Sequence, residues 1–255
     1  MKQPTKIALI QLSSTENLKE NYEQIKNYLH ESITTGARLI LTPEVSNFIS
    51  NNEKLRWNIL SVESDDPILR LVRKLAFENS VWILVGSLAI KINDRIRDLY
   101  INRSFLIGPN GKVVARYDKI HMFDISLSHK ISFKESKYFR PGNKAILVKT
   151  HFAKLGMTIC YDLRFPNIFN KLANAGAKLI SVPSAFTVPT GRDHWEPLLR
   201  ARAIENNVYI LAPAQCGQNG TNRFTWGHSL VVNPDGKVIN DSGKEPGVAV
   251  VELEI

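Results

Sequence analysis

The chain is predicted to be an α/β protein, a four-layer α-β-β-α sandwich made of two internally related halves. Three observations lead there. Short apolar runs alternate along the chain with longer segments of 3.6-residue periodicity, which is the pattern of strands covered by helices. Three segments of the first half recur, in the same order, in the second. Gly36-Ala37-Arg38-Leu39-Ile40-Leu41-Thr42-Pro43 matches Gly176-Ala177-Lys178-Leu179-Ile180-Ser181-Val182-Pro183; Glu78-Asn79-Ser80-Val81-Trp82-Ile83-Leu84 matches Glu205-Asn206-Asn207-Val208-Tyr209-Ile210-Leu211; Pro109-Asn110-Gly111-Lys112-Val113 matches Pro234-Asp235-Gly236-Lys237-Val238. Finally, each repeat supplies a sheet with helices for one face only. Stacking the two bare faces buries both.

In chain order, strands are expected over 7–12, 38–41, 81–86, 104–107, 113–117, 155–160, 179–182, 208–212, 229–232 and 248–252. Most are short and rich in Ile, Leu and Val, as strands buried on both faces are, whereas 112–117 alternates like an exposed strand. Helices are expected over 17–34, 67–79, 167–175 and 194–206. The second opens on Pro67, a residue suited to a first helical turn. No Pro/Gly-rich linker interrupts the chain, so residues 1–255 read as one domain. The stretch 122–144 reads as a loop, and its length marks it as functional.

Cys160 carries the chemistry. In GMTICYDLRFP, residues 156–166, an apolar run delivers a thiol into the polar turn Tyr161-Asp162-Leu163-Arg164, and Pro166 restarts the chain as a helix N-terminus. A thiol so placed is held rigidly, and its thiolate is expected to be stabilised. A lone Cys is usually a small buried hydrophobe; here two other strand ends supply partners. Glu44 follows Pro43 among apolar neighbours, so it reads as a semi-buried carboxylate whose pKa is raised, a general base. Lys119 lies beside Ile120, Met122 and Phe123, which suits an ammonium that neutralises a carboxylate or an oxyanion. The backbone N–H of Tyr161 is a second oxyanion donor. The internal repeat places Ser184 where Glu44 sits in the other half, so Ser184 and Phe186 are expected in the same crevice. Phe48 and Trp195 are candidate pocket walls, and Cys216 is expected only to pack.

Glu, Lys and Cys in this order and these contexts resemble the nitrilase superfamily of carbon-nitrogen hydrolases over essentially the whole chain. The motifs are Pro43-Glu44, Lys119-Ile120-His121-Met122-Phe123-Asp124, Cys160-Tyr161-Asp162-Leu163-Arg164-Phe165-Pro166, the segment 194–217 and the late hairpin through Pro234-Asp235-Gly236. The resemblance is nearest to the deaminated-glutathione amidase and omega-amidase branches. It implies the same sandwich, a second glutamate at Glu135 that orients Lys119 and the substrate amide, and hydrolysis of an amide through a cysteine thioester. It also implies no cofactor and no metal, and a homodimer or higher homo-oligomer.

Both branches cleave a 2-oxoglutaramate-type amide and differ in the leaving group. Ser184-Ala185-Phe186 and Ala214-Gln215-Cys216-Gly217 resemble the first; Lys130-Ile131-Ser132-Phe133-Lys134-Glu135-Ser136 resembles the second. Where the branches have Pro-Ala before His-Trp-Glu, this chain has Arg192-Asp193. Deaminated glutathione or a similar amide is the expected substrate, with Arg192, ahead of Arg164 and Arg200, as the cation for its carboxylate. An omega-amidase, an N-carbamoyl amidohydrolase and a non-catalytic binding protein on the same fold are the alternatives.

The formal net charge is +9, but the basic residues are scattered among acids with no basic run, which argues against a nucleic-acid site. Two cysteines are too few for a disulfide framework and fit free thiols in the cytoplasm. The apolar run 7–12 is too short for a signal peptide, and no run is long enough to span a membrane.

Overall fold

The structure, a computed structural model, describes residues 4–92, 99–128, 131–220 and 223–255. Lys130, in the segment that resembles omega-amidases, lies outside the described residues.

The first half runs β1 (Thr5–Gln11), α1 (Leu18–Thr34), β2 (Leu39–Leu41), α2 (Glu53–Ile59), α3 (Pro67–Asn79), β3 (Trp82–Ile92), β4 (Leu99–Ile107) and β5 (Val113–Asp118). A small hairpin follows, β6 (Asp124–Ser128) and β7 (Ile131–Lys134). The second half runs β8 (Ile146–Lys149), β9 (Lys154–Met157), α4 (Pro166–Asn174), β10 (Leu179–Ser181), α5 (Val188–Asn206), β11 (Tyr209–Ala212), β12 (Cys216–Gln218), β13 (Phe224–Trp226), β14 (Leu230–Val232) and β15 (Val238–Asp241). The chain closes with β16 (Gly247–Leu253).

Two six-stranded sheets result, ordered β16-β1-β2-β3-β4-β5 and β15-β14-β11-β10-β9-β8. Both have three parallel central strands flanked by antiparallel ones. Reading β16 against β8 and β5 against β15 superposes the two orders, so the repeat seen in the sequence is a repeat of topology. The matched helix ends Ser80 and Asn207 even share a left-handed backbone, at φ +52° and +51°.

Side-chain alternation sorts the layers. In β1, Ala8 and Ile10 pack with Ile25 and Leu29 of α1 and with α3, whereas Ile7 and Leu9 join Leu155, Met157 and Leu211 of the other sheet. Helices α4 and α5 cover the second sheet's outer side through Phe169, Leu172, Leu199 and Ala203. A side-chain period of two sends alternate residues to opposite faces, so each central strand is apolar on both.

Several expectations on element bounds are corrected. Helix α5 starts at Val188, not 194, because Pro189 occupies the first turn, where its missing N–H costs nothing. Strand β4 begins at Leu99, before the expected 104. The stretch 122–144 is not all loop: it holds the β6–β7 hairpin and a short 3-10 turn, Glu135–Lys137. Strand β9 ends at Met157, and Cys160 lies beyond it as the first residue of a 3-10 turn, Cys160–Arg164. Among the described residues, no helix is long and apolar enough to cross a membrane.

Candidate active site

Three strand ends deliver the central residues. Parallel β2 and β10 stop on Thr42-Pro43 and Val182-Pro183, and the chain then turns along the sheet–sheet boundary. Gly86 packs there so closely that a Cβ would stand 1.9 Å from Thr42 O and 2.5 Å from Pro183 Cβ. The turn after β9 is tied to this boundary by the Cys160 N–H, which donates to Pro183 O at 2.9 Å. Two non-glycine residues beside the chemistry adopt left-handed backbone, Val45 at φ +50° and Cys160 at φ +48°. Such conformations persist only where the surroundings impose them.

Lys119 is almost wholly buried, 1 % exposed, yet fully paired. Its Nζ donates to Glu44 Oε1 at 2.8 Å and to Glu135 Oε2 and Oε1 at 2.8 and 3.1 Å. Glu44 Oε2 accepts the Ala185 N–H at 2.9 Å, and Glu135 Oε2 accepts the Phe123 N–H at 2.7 Å. The Cys160 thiol lines the same cavity as Glu44 and Ala185, and both the Glu44 carboxylate and the Ala185 N–H act on it electrostatically. The turns after Pro43 and Pro183, which the internal repeat relates, thus meet through the Ala185 N–H and the Glu44 carboxylate.

The electrostatics differ from the sequence expectation in two respects. Burial by itself would raise the Glu44 carboxyl, but the Lys119 ammonium outweighs it, and Glu44 is held below the ordinary carboxylate range. Burial, reinforced by the Glu44 charge, pushes the Cys160 thiol well above its usual value despite Lys119. The resting pair is therefore a neutral thiol beside an ionised carboxylate. Burial disfavours the ammonium too, but two carboxylates override it and Lys119 stays charged. No stabilised thiolate results, because the thiol is buried, the Glu44 anion acts on it more strongly than the Lys119 ammonium, and the following helix starts only at Pro166.

Two residues that sequence reasoning missed complete the cluster. Asn102, on β4, donates through Nδ2 to both Glu44 Oε1 at 2.9 Å and Glu135 Oε1 at 3.1 Å. Asp162 is fully buried and fastens the nucleophile's turn: it accepts from Ile159 N, Tyr117 OH and His121 N at 2.8, 2.7 and 3.0 Å, and pairs with His121 Nδ1 at 2.7 Å. Their only sequence signal is a polar residue inside an apolar strand or beside the nucleophile.

The cluster forms the floor of a cavity of about 410 Å³. Of the sequence candidates, Glu44, Lys119, Glu135, Cys160, Tyr161, Phe48 and Phe186 line it. The others do not. Ser184 is buried and turns its Oγ onto Val182 O at 3.0 Å. Trp195 is buried behind the wall, its ring 4.9 Å from Phe186 and its Nε1 donating to His228 O. Arg164 lies outside, its Nη2 paired with His194 Nδ1 at 3.1 Å. Arg192 projects to solvent and pairs with Asp193 at 2.8 Å, so it is not placed to meet a ligand in the cavity. Two other arginines, Arg56 and Arg223, do line the cavity. Cys216 is buried in β12, its thiol pushed up to about 12 by burial.

The chain is similar to known proteins along almost its whole length. The carbon-nitrogen hydrolase family model matches residues 6–255. The chain is 41 % identical to a deaminated glutathione amidase of Yersinia enterocolitica over 97 % of its own length and 86 % of the relative's. The C. elegans NitFhit protein superposes with a TM-score of 0.91 at 33 % identity, over 99 % of this chain and 61 % of that longer one. A mutant of the amidase from Nesterenkonia sp. AN1, with acrylamide added at its active-site cysteine, superposes at 0.82 with 25 % identity, over 98 % of this chain and 93 % of that one.

Proposed function

The chain belongs to the carbon-nitrogen hydrolase family, and we propose that it is an amidase acting on deaminated glutathione or a similar 2-oxoglutaramate-type amide through a Cys160 thioester. One observation carries the chemistry: a buried cysteine lines the same cavity as a buried carboxylate that is itself 2.8 Å from a buried ammonium. The relative named deaminated glutathione amidase supports the substrate class.

As Cys160 Sγ bonds to the amide carbon, its proton passes to Glu44 and the carbonyl π pair moves to oxygen. The Lys119 ammonium and the Tyr161 N–H stabilise that oxyanion, each donor contributing about 3 kcal/mol. Collapse breaks the C–N bond, and Glu44 returns its proton to the leaving nitrogen. Water then attacks the thioester with Glu44 as base. The C–S bond breaks, and the proton returns to sulfur. Asn102 and Glu135 keep Glu44 and Lys119 in register throughout. The same reading takes residues 1–255 as one catalytic domain working in the cytoplasm, with both cysteines free.

The test is release of amine or ammonia from a panel of amides, with mass spectrometry of the protein during turnover. An acyl adduct on Cys160, lost in Cys160→Ala and kept in Cys216→Ala, is expected. An adduct on Cys216 with activity lost on its replacement would overturn the assignment.

A further inference from the structure

Two arginines reach the cavity with buried guanidinium nitrogens that meet no hydrogen-bond partner among the described residues: Nε and Nη2 of Arg56, and Nε of Arg223. A buried charged donor left unpaired is costly, so such groups mark a place that a ligand completes. Arg56 comes from α2, is 8 % exposed, lays its guanidinium 4.4 Å from the Tyr138 ring centroid and spends Nη1 on Ser50 O. The edge left over, Nε with Nη2, is a fork that holds a carboxylate by two parallel bonds. Arg223 instead leans on the reaction centre. Its Nη2 donates to Ala185 O at 3.3 Å, and the N–H of the same Ala185 donates to Glu44.

Among the described residues no carboxylate bonds either arginine, although the Arg223 charge helps hold Glu44 ionised. The two carboxylates lining the cavity, Glu44 and Glu135, are both committed to Lys119. Glu53, which feels the Arg56 charge, bonds Lys137 and Tyr138 instead. The cavity therefore holds two cations awaiting anions at two places, one joined through Ala185 to the nucleophile and one on the Ser50–Tyr138 wall.

We propose that Arg223 and Arg56 are separate carboxylate receptors, Arg223 for the acyl half of the substrate and Arg56 for a second carboxylate on the leaving amine. The acyl half stays on Cys160 as the thioester, so its carboxylate needs the cation tied to the nucleophile's partners. A carboxylate beyond the scissile nitrogen reaches farther out, to a wall whose arginine has a free fork. This rests on the amidase reading above and replaces Arg192 as the carboxylate contact.

The experiment compares kcat/KM for deaminated glutathione and 2-oxoglutaramate, which share an acyl half; only the first has a leaving-group carboxylate. In Arg56→Gln the ratio of the two efficiencies should fall roughly 10- to 100-fold, the worth of a charged hydrogen-bond pair. Arg56→Lys, which keeps stem and charge but loses the fork, should show a smaller fall. In Arg223→Gln both efficiencies should fall and the ratio should hold. An unchanged ratio in folded Arg56→Gln, or wild-type efficiency on 2-oxoglutaramate in Arg223→Gln, overturns the proposal while leaving the amidase standing. If wild type turned over neither compound, the substrate reading would fall instead. The arginines would then be judged by calorimetric titration of N-glutarylglycine into Cys160→Ala protein. Weaker binding on adding either arginine substitution supports the receptors, and equal binding rejects them.

Discussion

Lys119 Nζ and Glu44 Oε1 lie 2.8 Å apart in a site where both side chains are almost wholly buried, and Glu135 holds the same ammonium from the other side. Removing the ammonium leaves two buried carboxylates uncompensated, a change that costs about 3–5 kcal/mol. Lys119→Met should lower the thermal midpoint as well as activity. Adding Glu135→Gln should recover part of the stability and none of the turnover. A Lys119→Met protein with wild-type stability would show that the cluster is not held by charge.

The resting thiol sets the pH dependence. Because Glu44 is held low, the acid limb of kcat/KM should lie below the ordinary carboxylate range. The sign for stability is the same: a depressed carboxyl adds stability above its unfolded value and loses it as pH falls through the folded value. Because Cys160 is pushed up, its alkylation by iodoacetamide should stay slow through about pH 8.5, where a free thiol titrates. Glu44→Gln removes an anion from beside the sulfur, so the thiolate should form at lower pH even as amide turnover is lost. A thiolate titrating near neutrality in the wild type would reject the neutral-pair mechanism.

Asn102 bridges Glu44 and Glu135 through one amide nitrogen. Asn102→Asp puts a third carboxylate around one ammonium. The new carboxyl binds its proton more tightly folded than unfolded, so the variant should be relatively most stable in acid and weaken as pH rises through the carboxyl range. The acid limb of kcat/KM should also move up. Parallel stability curves for variant and wild type would rule out this bridging role.

Gly86 has no room for a methyl group, since a Cβ there would overlap Thr42 O and crowd Pro43 O at 2.6 Å. Gly86→Ala should cost about 3 kcal/mol and displace the Pro43-Glu44 turn, lowering kcat at temperatures where the protein stays folded. Urea unfolding with assay on the same sample checks both, and native values in both would show that the turn can yield.

How much was legible in the sequence depends on the range over which a signal acts. Strand and helix type, the order of the repeated halves, and the polar residues Glu44, Lys119 and Cys160 at apolar strand ends are local patterns, and a single chain displays them. The repeat even anticipated that the turns after Pro43 and Pro183 would face one another, as the Glu44–Ala185 hydrogen bond shows. Tertiary structure alone decided which distant residues share the cavity. Asn102 reaches Glu44 across 58 positions and Lys119 reaches it across 75, and an Asn within a strand gives no local sign of such a partner. Arg56 and Arg223 line the cavity, and Arg192 faces solvent, for the same reason: all three are polar side chains whose destination depends on packing between elements. Protonation followed suit. The sequence located the thiol and the carboxylate, but their charge states follow from burial and from which ion stands within about 3 Å, and only the folded chain sets those distances.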